Sequence, residues 1–443
     1  MPQVEHPYQL KHSFRDPVHG FIRVSDEERR LIDSRPVQRL RRIHQLGTGY
    51  LVYHGAEHSR FGHALGTMHL AGRAFEEIHN KQPRLLLLGR GKELSRNWQI
   101  MRIAGLLHDI GHTPFSHAAE ELLPARPDGR GHLRHEDYSA AILRRELADI
   151  IQKEFRDLGI TADHIDGLFR GDPTRLGPPA TIMHQLLSGE VDVDRMDYLL
   201  RDSLYTGVAY GRFDVERLIE CITAHQFQKQ RSLAFEIGGV GALEGFIYAR
   251  YFMYTQVYLH DVKCFYEIML REGLIEALGR EEHRGRYPGP ENVTAFLRMD
   301  DQWAMGQLNE LASEGLEPAR CIVERRHWRT IDSTSPHPRA EDVSAWNAAL
   351  REIDKEFGPG VYRVYESRKT AYQATEPRPY HSESGEGSPV LIVGETGSGA
   401  PRFIEKESML VHRIAEHPVM FLRLYARPDV ERDLSRRWAQ LKT

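Results

Sequence analysis

The chain has 443 residues, of which 40% are hydrophobic and 28% are charged, and its formal net charge is −4. These values are typical of an ordinary globular protein with two or three domains, or one large domain with a smaller appendage. The slightly acidic balance gives no electrostatic reason to expect nucleic-acid binding, and no apolar run approaches the roughly 18 residues of a membrane span.

The cysteines and the N-terminus indicate the cellular compartment. Cys221, Cys264 and Cys321 lie far apart with no CxxC spacing, so neither a disulfide framework nor a cysteine zinc site is expected. The N-terminal MPQVEHPYQLKHSF has no apolar core and is unlike a secretory signal. We therefore expect a cytoplasmic protein with no membrane association.

The pattern is helical from residue 26 to about residue 280, after a predicted short hairpin in KHSFRDPVHGFIRVS. SDEERRLIDS has a serine N-cap followed by acids, which is typical of a helix start. Apolar residues then recur at helical spacing in RPVQRLRRIHQLG, RFGHALGTMHLAGRAFEEIHN, NWQIMRIAGLLHDIGH, HEDYSAAILRREL, DVDRMDYLLRDSLY and GALEGFIYARYFMYTQVYLHDVKCFYEIMLREGL.

Beyond about residue 320 the pattern changes to mixed strands and helices. Strands are predicted in RCIVERRHWRTI, GVYRVYESR, SPVLIVGE and RFIEKE, and helices in SMLVHRIAE and RPDVERDLSRRWAQ, with a loop at EPRPYHSESGEGSP. GETGSGAP lacks the Lys-Ser/Thr pair of a phosphate-binding loop. We predict an N-terminal arm (1–25), a helical catalytic domain (26–319) and an α+β C-terminal region (320–443).

The stretch LLHDIGHTPFSH, residues 106–117, places His108, Asp109, His112 and His117 around two helix breakers. A buried helix would continue here with leucine or valine, because each buried polar group must find a partner or cost free energy. So dense a set of imidazole and carboxylate groups indicates a site rather than a core.

These residue types favour a metal site. The candidate ligands, which would come from three helices, are His63, His108, Asp109 and Asp194. Imidazole with carboxylate suits iron, manganese, zinc or magnesium, and four protein ligands leave positions open for water and substrate oxygens. A surface role for His63 and a helix-capping role for Asp194 are the alternatives that the residues alone leave open.

A second layer of polar residues accompanies the candidate ligands. Asp194, Tyr198 and Asp202 share one face of the helix in DVDRMDYLLRDSLY, where they either line a cleft or form a solvated stripe. Arg60, one turn before the first candidate ligand, could reach a bound phosphate. His135 opens another helix, and alone it would be read as a capping or surface residue.

The ligand pattern resembles the H…HD…D signature of the HD-domain phosphohydrolases. DPVHGFI, PVQRLRRIHQLGTGYLVYHGAEHSRFGHALG, AGLLHDIGHTPFSH and DVDRMDYLLRDS are similar to the deoxynucleoside triphosphate triphosphohydrolases, both bacterial members and the catalytic region of the vertebrate SAM-and-HD-domain enzyme. The resemblance covers roughly residues 12–275 and is weak after residue 320. It implies a mainly α, HD-domain helical fold with a smaller α+β C-terminal segment.

The resemblance also implies a reaction, in which water attacks the α-phosphorus of a dNTP and releases deoxynucleoside and intact triphosphate. The four candidate ligands would hold one divalent ion per chain, and a second magnesium ion would accompany the triphosphate. The implied catalytic residues are His112 and His135 beside the scissile bond, His117 as proton donor to the departing 5′ oxygen, and Glu120 as the supporting acid. The vertebrate enzyme has aspartate at the position of Glu120.

Further positions match those that surround the substrate in the family. They are Gln45, Leu46, Arg60, Arg195, Tyr198, Asp202, Arg250, Tyr254 and Tyr258. The arginines would contact the phosphates, and the other residues would surround the sugar and base. Tyr254 replaces a histidine of the vertebrate enzyme, so the contacts on the base side are expected to differ. Among the phosphate contacts, Arg195 replaces a lysine.

Regulation and assembly follow from the resemblance alone. Asp33, Gln38 and Arg41 match positions that grip an activating guanine nucleotide between subunits. Without the resemblance, a capping acid and a solvated basic helix face would be the preferred explanation. EIGGVGALEG lacks the basic residues of a second effector site, so an altered effector requirement, or none, is expected. The resemblance implies a homotetramer.

Two other functions remain open at this stage. One is an HD phosphohydrolase that acts on nucleoside monophosphates, cyclic nucleotides or ribonucleotides. The other is a non-catalytic nucleotide- or nucleic-acid-binding HD protein. An intact ligand set argues against the second, because a protein without catalysis has no need of it.

Overall fold

A computed structural model of the chain describes residues 6–86, 92–227, 230–280, 285–369 and 390–442. The fold is mainly α, with a smaller α+β part toward the C-terminus, as the sequence predicts. The helices are α1 (Asp26–Ile32), α2 (Arg35–Arg39), α3 (Arg60–Lys81), α4 (Pro83–Leu86), α5 (Lys92–Leu107), α6 (His135–Ile142), α7 (Ala148–Glu154), α8 (Ala162–Phe169), α9 (Pro173–Leu176), α10 (Ala180–Ser188), α11 (Val193–Thr206), α12 (Val215–Glu220), α13 (Val240–Met253), α14 (Asp261–Arg280), α15 (Val293–Phe296), α16 (Asp301–Ser313), α17 (Glu317–Val323), α18 (Ala340–Phe357), α19 (Ile404–Glu407), α20 (Met409–Glu416) and α21 (Glu431–Lys442). The strands are β1 (His12–Asp16), β2 (Gly20–Val24), β3 (Ile222–Phe227), β4 (Gln230–Glu236), β5 (Arg329–Ser333), β6 (Tyr362–Lys369), β7 (Leu391–Val393), β8 (Arg402–Phe403) and β9 (Val419–Ala426).

The predicted N-terminal hairpin is confirmed, because β1 and β2 pair antiparallel. The Asp16 carboxylate accepts hydrogen bonds from the backbone N–H groups of Val18 and His19, each at 2.9 Å, and Gly20 has φ 74° in the turn. Arg201 of α11 donates to the second oxygen of Asp16 at 2.9 Å. The hairpin is therefore fixed to the helix that carries the candidate ligand Asp194.

The long helices α3, α5 and α11 pack together and carry the candidate ligands. Two glycines allow the close approach of these helices. A Cβ atom on Gly66 of α3 would come within 1.8 Å of Asp197 Oδ1 on α11, and one on Gly105 of α5 would lie 2.9 Å from the carbonyl oxygen of Thr67 on α3. Larger residues at these positions would push the helices apart.

A β-hairpin interrupts the region that the sequence predicts as helical. β3 and β4 pair antiparallel, with Ile222 opposite Phe235, and β4 also pairs in parallel with β7, with Ala234 opposite Leu391. The sheet has the order β3-β4-β7-β8. Because β4 is covered on both faces, its residues lack the alternation that identifies a half-buried strand. Long-range pairing, rather than local pattern, defines this strand.

The C-terminal part contains a second sheet, in the order β5-β9-β6, with antiparallel pairs. α18 and α21 cover it, with Trp346 and Trp438 in edge contact at 4.8 Å between ring centroids. The helices predicted in SMLVHRIAE and RPDVERDLSRRWAQ are confirmed as α20 and α21. The loop predicted at EPRPYHSESGEGSP lies outside the described residues.

Three C-terminal predictions need correction. RCIVERRHWRTI begins in helix α17, started by Pro318 in its first turn, and becomes strand only at β5. RFIEKE is strand for two residues and then helix α19. α18 is absent from the predicted elements, although Trp346, Ala349 and Ile353 are buried at helical spacing.

Among the described residues, no helix combines the length and apolarity that a bilayer crossing requires.

A buried ion pair fixes α1 to α5. Glu28 is 1% exposed. Its Oε1 accepts from Arg102 Nε at 2.6 Å and from Gln99 Nε2 at 2.8 Å, and its Oε2 accepts from the Ser25 N–H at 3.0 Å. Burial opposes ionisation of Glu28, but Arg102 holds its pKa below the ordinary value. The charge of Glu28 therefore depends on Arg102.

We predict that Arg102→Met lowers the free energy of unfolding by about 3–5 kcal/mol, because it leaves the Glu28 charge buried and unpaired. Urea denaturation followed by circular dichroism measures the loss. The control is Arg29→Met, since Arg29 lies on the exposed face of α1 with its Nε 3.7 Å from Asp33. Equal stability of the two variants would contradict the prediction.

Candidate active site

Three of the predicted metal ligands converge from three helices. His63 lies in the first turn of α3, His108 directly follows α5, and Asp194 lies in the first turn of α11. Asp194 Oδ1 lies 2.9 Å from His63 Nε2 and 3.4 Å from His108 Nε2. Their ligand atoms all lie within 4.8 Å of one another. The structure therefore brings together three residues that the sequence predicts to share a metal site.

The fourth predicted ligand, Asp109, lines the same space. It is 5% exposed. Its Oδ2 lies 3.5 Å from His63 Nε2, and its Oδ1 lies 3.3 Å from His108 Nε2. The Arg60 guanidinium donates to Oδ2 and so holds the carboxylate in place.

Hydrogen bonds on the far side of each imidazole orient the two histidines. His63 Nδ1 donates to Asp197 Oδ2 at 2.8 Å, and His108 Nδ1 donates to the Gly105 carbonyl at 2.9 Å. A proton on each Nδ1 leaves the Nε2 lone pair available. Both Nε2 atoms are buried, and in the described parts of the chain neither makes a hydrogen bond of acceptable geometry, although Asp194 Oδ1 lies 2.9 Å from that of His63. Two imidazole nitrogens that face two carboxylates at such distances fit a divalent metal ion.

The buried carboxylates of this centre are stabilised by positive charge. Burial opposes protonation of His63, but Asp109, Asp194 and Asp197 raise its pKa well above the ordinary value. Burial likewise opposes ionisation of Asp194, yet His108 and His63 hold its pKa below the ordinary value. Protons on the imidazoles can balance these carboxylates, and a divalent cation can take the place of such protons.

Asp197 was not predicted from the sequence. Its carboxylate, fully buried, accepts from Arg201 Nε and Nη2, each at 2.8 Å, from His19 at 2.7 Å and from His63 at 2.8 Å. A signal was present, because Asp197 lies one helical turn after Asp194 on the same helix, where a carboxylate can reach the back of a ligand histidine.

A second cluster of histidines lies beside Asp109. Glu120 accepts from His117 Nδ1 at 2.8 Å, from His135 Nδ1 at 2.7 Å and from the His135 backbone N–H at 3.0 Å. His112 Nε2 lies 3.2 Å from Asp109 Oδ1. The structure thus brings all four predicted catalytic residues together. The capping role that His135 alone would suggest does not explain its contact with Glu120.

The rings of His112 and His135 stack, with centroids 3.9 Å apart and planes 16° from parallel. The in-plane lone pairs of stacked rings run parallel and do not converge on one ion, so this pair is poorly arranged to share a metal. Burial, with Arg60 and His135 nearby, lowers the pKa of His112 well below its ordinary value. Burial opposes protonation of His135, but Glu136 and Glu120 raise its pKa to about 9. One ring is thus neutral beside one protonated ring.

The predicted sugar contacts surround Asp202. His58 Nε2 lies 2.8 Å from Asp202 Oδ1, and Tyr258 donates to Oδ2 at 2.8 Å. Tyr198 and Tyr254 each make an edge contact with the Tyr258 ring, at 6.1 and 5.3 Å between centroids. His58 was not predicted as a site residue, although it begins the HSRFGH segment that forms part of the family resemblance.

Gln45 and Leu46 lie at the start of the irregular segment that precedes α3. Each is 8% exposed. The Gln45 backbone N–H donates to the His58 carbonyl at 2.9 Å, and Gln45 Oε1 is buried without a hydrogen-bond partner in the described regions. This backbone hydrogen bond places the start of the segment beside His58, the residue that contacts Asp202.

Each predicted phosphate-binding arginine pairs with a carboxylate. Arg60 donates to Asp109, and Arg195 donates to Asp192. Arg250 donates to Glu190 at 2.9 Å and lies over the Tyr254 ring at 5.9 Å. Arg195 and Arg250 come from α11 and α13.

The residues predicted to grip an effector lie at the surface around α2. Arg41 Nε donates to Gln38 Oε1 at 2.9 Å, and Gln38 Nε2 donates to the Ile32 carbonyl at 2.9 Å. Arg41 also covers the Phe61 ring at 3.5 Å. Asp33 is exposed, with Oδ2 3.7 Å from Arg29. The effector site at these residues stays a prediction.

Comparison with protein families matches two consecutive segments of the chain. A family described as HD domain matches residues 60–202, and a family described as HD associated region matches residues 213–358. The first segment contains the four predicted metal ligands, and the second begins after α11. A crystal structure of a hypothetical protein from Aquifex aeolicus is similar, with TM-score 0.75, 28% identity, and coverage of 96% of this chain and 99% of that one.

Several curated proteins are similar along most of the chain. Uncharacterized protein YwfO of Bacillus subtilis is 36% identical, over 91% of this chain and 89% of that protein. Deoxynucleoside triphosphate triphosphohydrolase SAMHD1 of Gallus gallus is 31% identical over 73% of this chain, which spans 56% of that enzyme. The SAMHD1 homolog of Dictyostelium discoideum is 32% identical, over 83% of this chain and 69% of that protein. The chain therefore belongs to the family of HD-domain phosphohydrolases that carry an HD-associated region.

Proposed function

We propose that this protein hydrolyses deoxynucleoside triphosphates to deoxynucleoside and triphosphate, by attack of water on the α-phosphorus. The observation that carries the proposal is the contact between two sites. One is the set of candidate metal ligands, and the other is the histidine–glutamate cluster. His112 Nε2 in the cluster lies 3.2 Å from Asp109 Oδ1 in the ligand set. Relatives named as deoxynucleoside triphosphate triphosphohydrolases support this choice of substrate.

We propose one divalent ion per chain, held by His63, His108, Asp109 and Asp194. When bound, such an ion supplies Lewis-acid polarisation of a phosphoryl oxygen. The hydrogen bond from His63 to Asp197 fixes the direction of the ligand nitrogen, and the Arg60 guanidinium fixes Asp109. A second magnesium ion accompanies the triphosphate in this proposal.

The histidine cluster supplies general acid–base groups. Glu120 binds the Nδ1 protons of His117 and His135, so each ring presents Nε2 for proton transfer. His117 is the proton donor to the departing 5′ oxygen, since its side chain is 65% exposed and can reach a bound substrate. His112 and His135 lie beside the scissile bond in this arrangement.

The remaining predicted residues bind the substrate. Arg60, Arg195 and Arg250 contact the triphosphate. Its oxygens compete for these guanidinium groups with the carboxylates that they bind in the structure. Gln45, Leu46, Tyr198, Asp202, Tyr254 and Tyr258 surround the sugar and base. We further propose a homotetramer in which Asp33, Gln38 and Arg41 bind a guanine nucleotide effector, on the strength of the family resemblance.

Product analysis tests the reaction. With dGTP and a divalent metal, chromatography should show deoxyguanosine and triphosphate in equal amounts, and oxygen from labelled water should appear in the triphosphate. Release of dGMP with pyrophosphate would mean that a bond other than that to the 5′ oxygen breaks, and release of orthophosphate would place the attack at another phosphorus. Either result would contradict the proposal.

We predict that Asp197→Asn weakens metal binding by about 10–100-fold, because the amide no longer holds His63 with a charged hydrogen bond. Metal content after dialysis against graded chelator measures the change. The matched control is Asp202→Asn on the same helix, whose carboxylate contacts His58 and Tyr258. Equal metal retention by both variants would show that Asp197 does not support the metal.

We predict that His135→Ala retains the metal and binds dNTP but turns over on the order of a hundredfold more slowly, since it loses an acid–base group. Glu120→Gln should also slow turnover, because Glu120 orients two rings. Glu121→Gln is the control, as Glu121 is exposed and pairs with Arg271 at 2.6 Å. An unchanged kcat in His135→Ala would return His135 to a capping role.

We predict that Tyr258→Ala raises kcat/KM for GTP relative to dGTP, because the ring forms a wall against a 2′ hydroxyl. An apolar wall alone discriminates by about a hundredfold. Tyr258→Phe keeps the ring and removes the hydrogen bond to Asp202, so its GTP-to-dGTP ratio should stay that of the wild type. An unchanged ratio in a folded Tyr258→Ala variant would remove Tyr258 from the sugar site.

A further inference from the structure

A strained turn separates two of the candidate catalytic histidines. Phe115 has φ 57° and Ser116 has φ 61°, so two consecutive residues that are not glycine adopt the left-handed conformation. Side chains rarely tolerate this conformation, and it persists only where the surroundings enforce it. The turn lies between His112 and His117 in the sequence.

Asp301, in the HD-associated region, enforces the turn. It is 3% exposed, and its Oδ1 accepts from the Phe115 backbone N–H at 2.7 Å across 186 residues of sequence. Its Oδ2 accepts from the His44 backbone N–H at 2.8 Å and lies 2.6 Å from His44 Nδ1. One carboxylate thus joins the strained turn to the segment that precedes α3.

The turn continues to the metal centre through Ser116. The Ser116 hydroxyl donates to the His44 carbonyl at 2.6 Å and accepts from Arg60 Nε at 2.8 Å. The other end of the Arg60 guanidinium donates to Asp109. A continuous chain of hydrogen bonds therefore runs from Asp301 to a candidate metal ligand.

The turn is closely packed and is spanned by a further hydrogen bond. Gly47 has φ 55°, and a Cβ atom there would come within 2.7 Å of the Phe115 carbonyl oxygen. Thr113 Oγ1 donates to the Ser116 carbonyl at 2.7 Å and spans the turn. Without the Asp301 carboxylate, the Phe115 N–H would be buried and unpaired, which is unfavourable for this conformation.

From this geometry we infer that Asp301 is a positioning residue for the reaction, acting through the Phe115–Ser116 turn on Arg60 and on the flanking histidines. The inference rests on the proposed function for its catalytic part. It assigns to the HD-associated region a direct part in the site, because Asp301 is the first residue of α16 in that region.

Asp301→Ala and Asp300→Ala form the matched test. Asp300 is also buried and caps α16, with Oδ1 accepting from the backbone N–H groups of Gln302 and Trp303, each at 3.1 Å, but its hydrogen bonds do not reach the turn in the described structure. Asp301→Asn keeps the side-chain volume and one acceptor oxygen, so it provides a folded variant.

The expected result is a fall in kcat for dGTP on the order of a hundredfold in Asp301→Ala, with metal content retained, because a small displacement of reacting groups is that costly. Asp301→Asn should be intermediate, and Asp300→Ala should lower thermal stability but keep its kcat. Hydrogen exchange followed by mass spectrometry should show faster exchange in residues 113–117 in Asp301→Ala than in Asp300→Ala.

Equal exchange in residues 113–117 of the two alanine variants, or an unchanged kcat in folded Asp301→Asn and Asp301→Ala, would overturn the inference. If the wild-type protein instead shows no hydrolysis of dGTP, the proposed function fails. The exchange comparison would then still decide whether Asp301 holds the turn, so the two failures are distinguishable.

Discussion

The buried carboxylate of Asp197 is the constraint on which the rest of the site depends. Its hydrogen bonds go to Arg201 on its own helix, to His19 in the N-terminal hairpin and to His63 on α3. A buried charge that loses its partners costs several kcal/mol, so these elements cannot shift independently. Because Gly66 lets the carboxylate approach α3, the same contact fixes both the helix spacing and the ring orientation of His63. The same carboxylate therefore contributes to the stability of the fold and sets the direction of the His63 Nε2 lone pair.

A second close approach joins the candidate metal ligands to the histidine cluster. A Cβ atom on Gly111 would lie 2.1 Å from the His135 carbonyl oxygen and 2.4 Å from the Ser139 backbone nitrogen. The N-terminus of α6 therefore rests on the chain directly after the His108-Asp109 pair, and His135 comes to lie against the ring of His112. The glycine that the sequence shows as a helix breaker is, in the structure, the contact surface that brings His135, the proposed acid–base residue, to the candidate metal ligands.

Local patterns were sufficient to predict the helices that carry the ligands, because apolar spacing and capping residues act within a few turns of chain. The dense stretch 106–117 already indicated His112, and the resemblance to a family then gave roles to His135 and Glu120; without it, His135 would be read as a capping or surface residue. What the sequence could not predict depends on distant partners. β4 is defined by its neighbours in the sheet, His58 by Asp202, and Asp301 by a backbone N–H that lies 186 residues before it. The division of the chain at residue 320 stays a prediction.

The pairing of arginines with acids has a consequence for substrate choice. Arg60, Arg195 and Arg250 each donate to a carboxylate, so a triphosphate gains only the difference between its own contacts and those that it replaces. A ligand with a single phosphate would break few of these arginine–carboxylate pairs, and each broken pair would leave a carboxylate without its arginine. A triphosphate can replace several pairs together, because its oxygens reach more than one arginine. If the proposed function is correct, each phosphate contact must therefore be stronger than the carboxylate contact that it replaces, and a triphosphate, which makes more of these contacts, is then favoured over the monophosphates and cyclic nucleotides that other HD phosphohydrolases would accept.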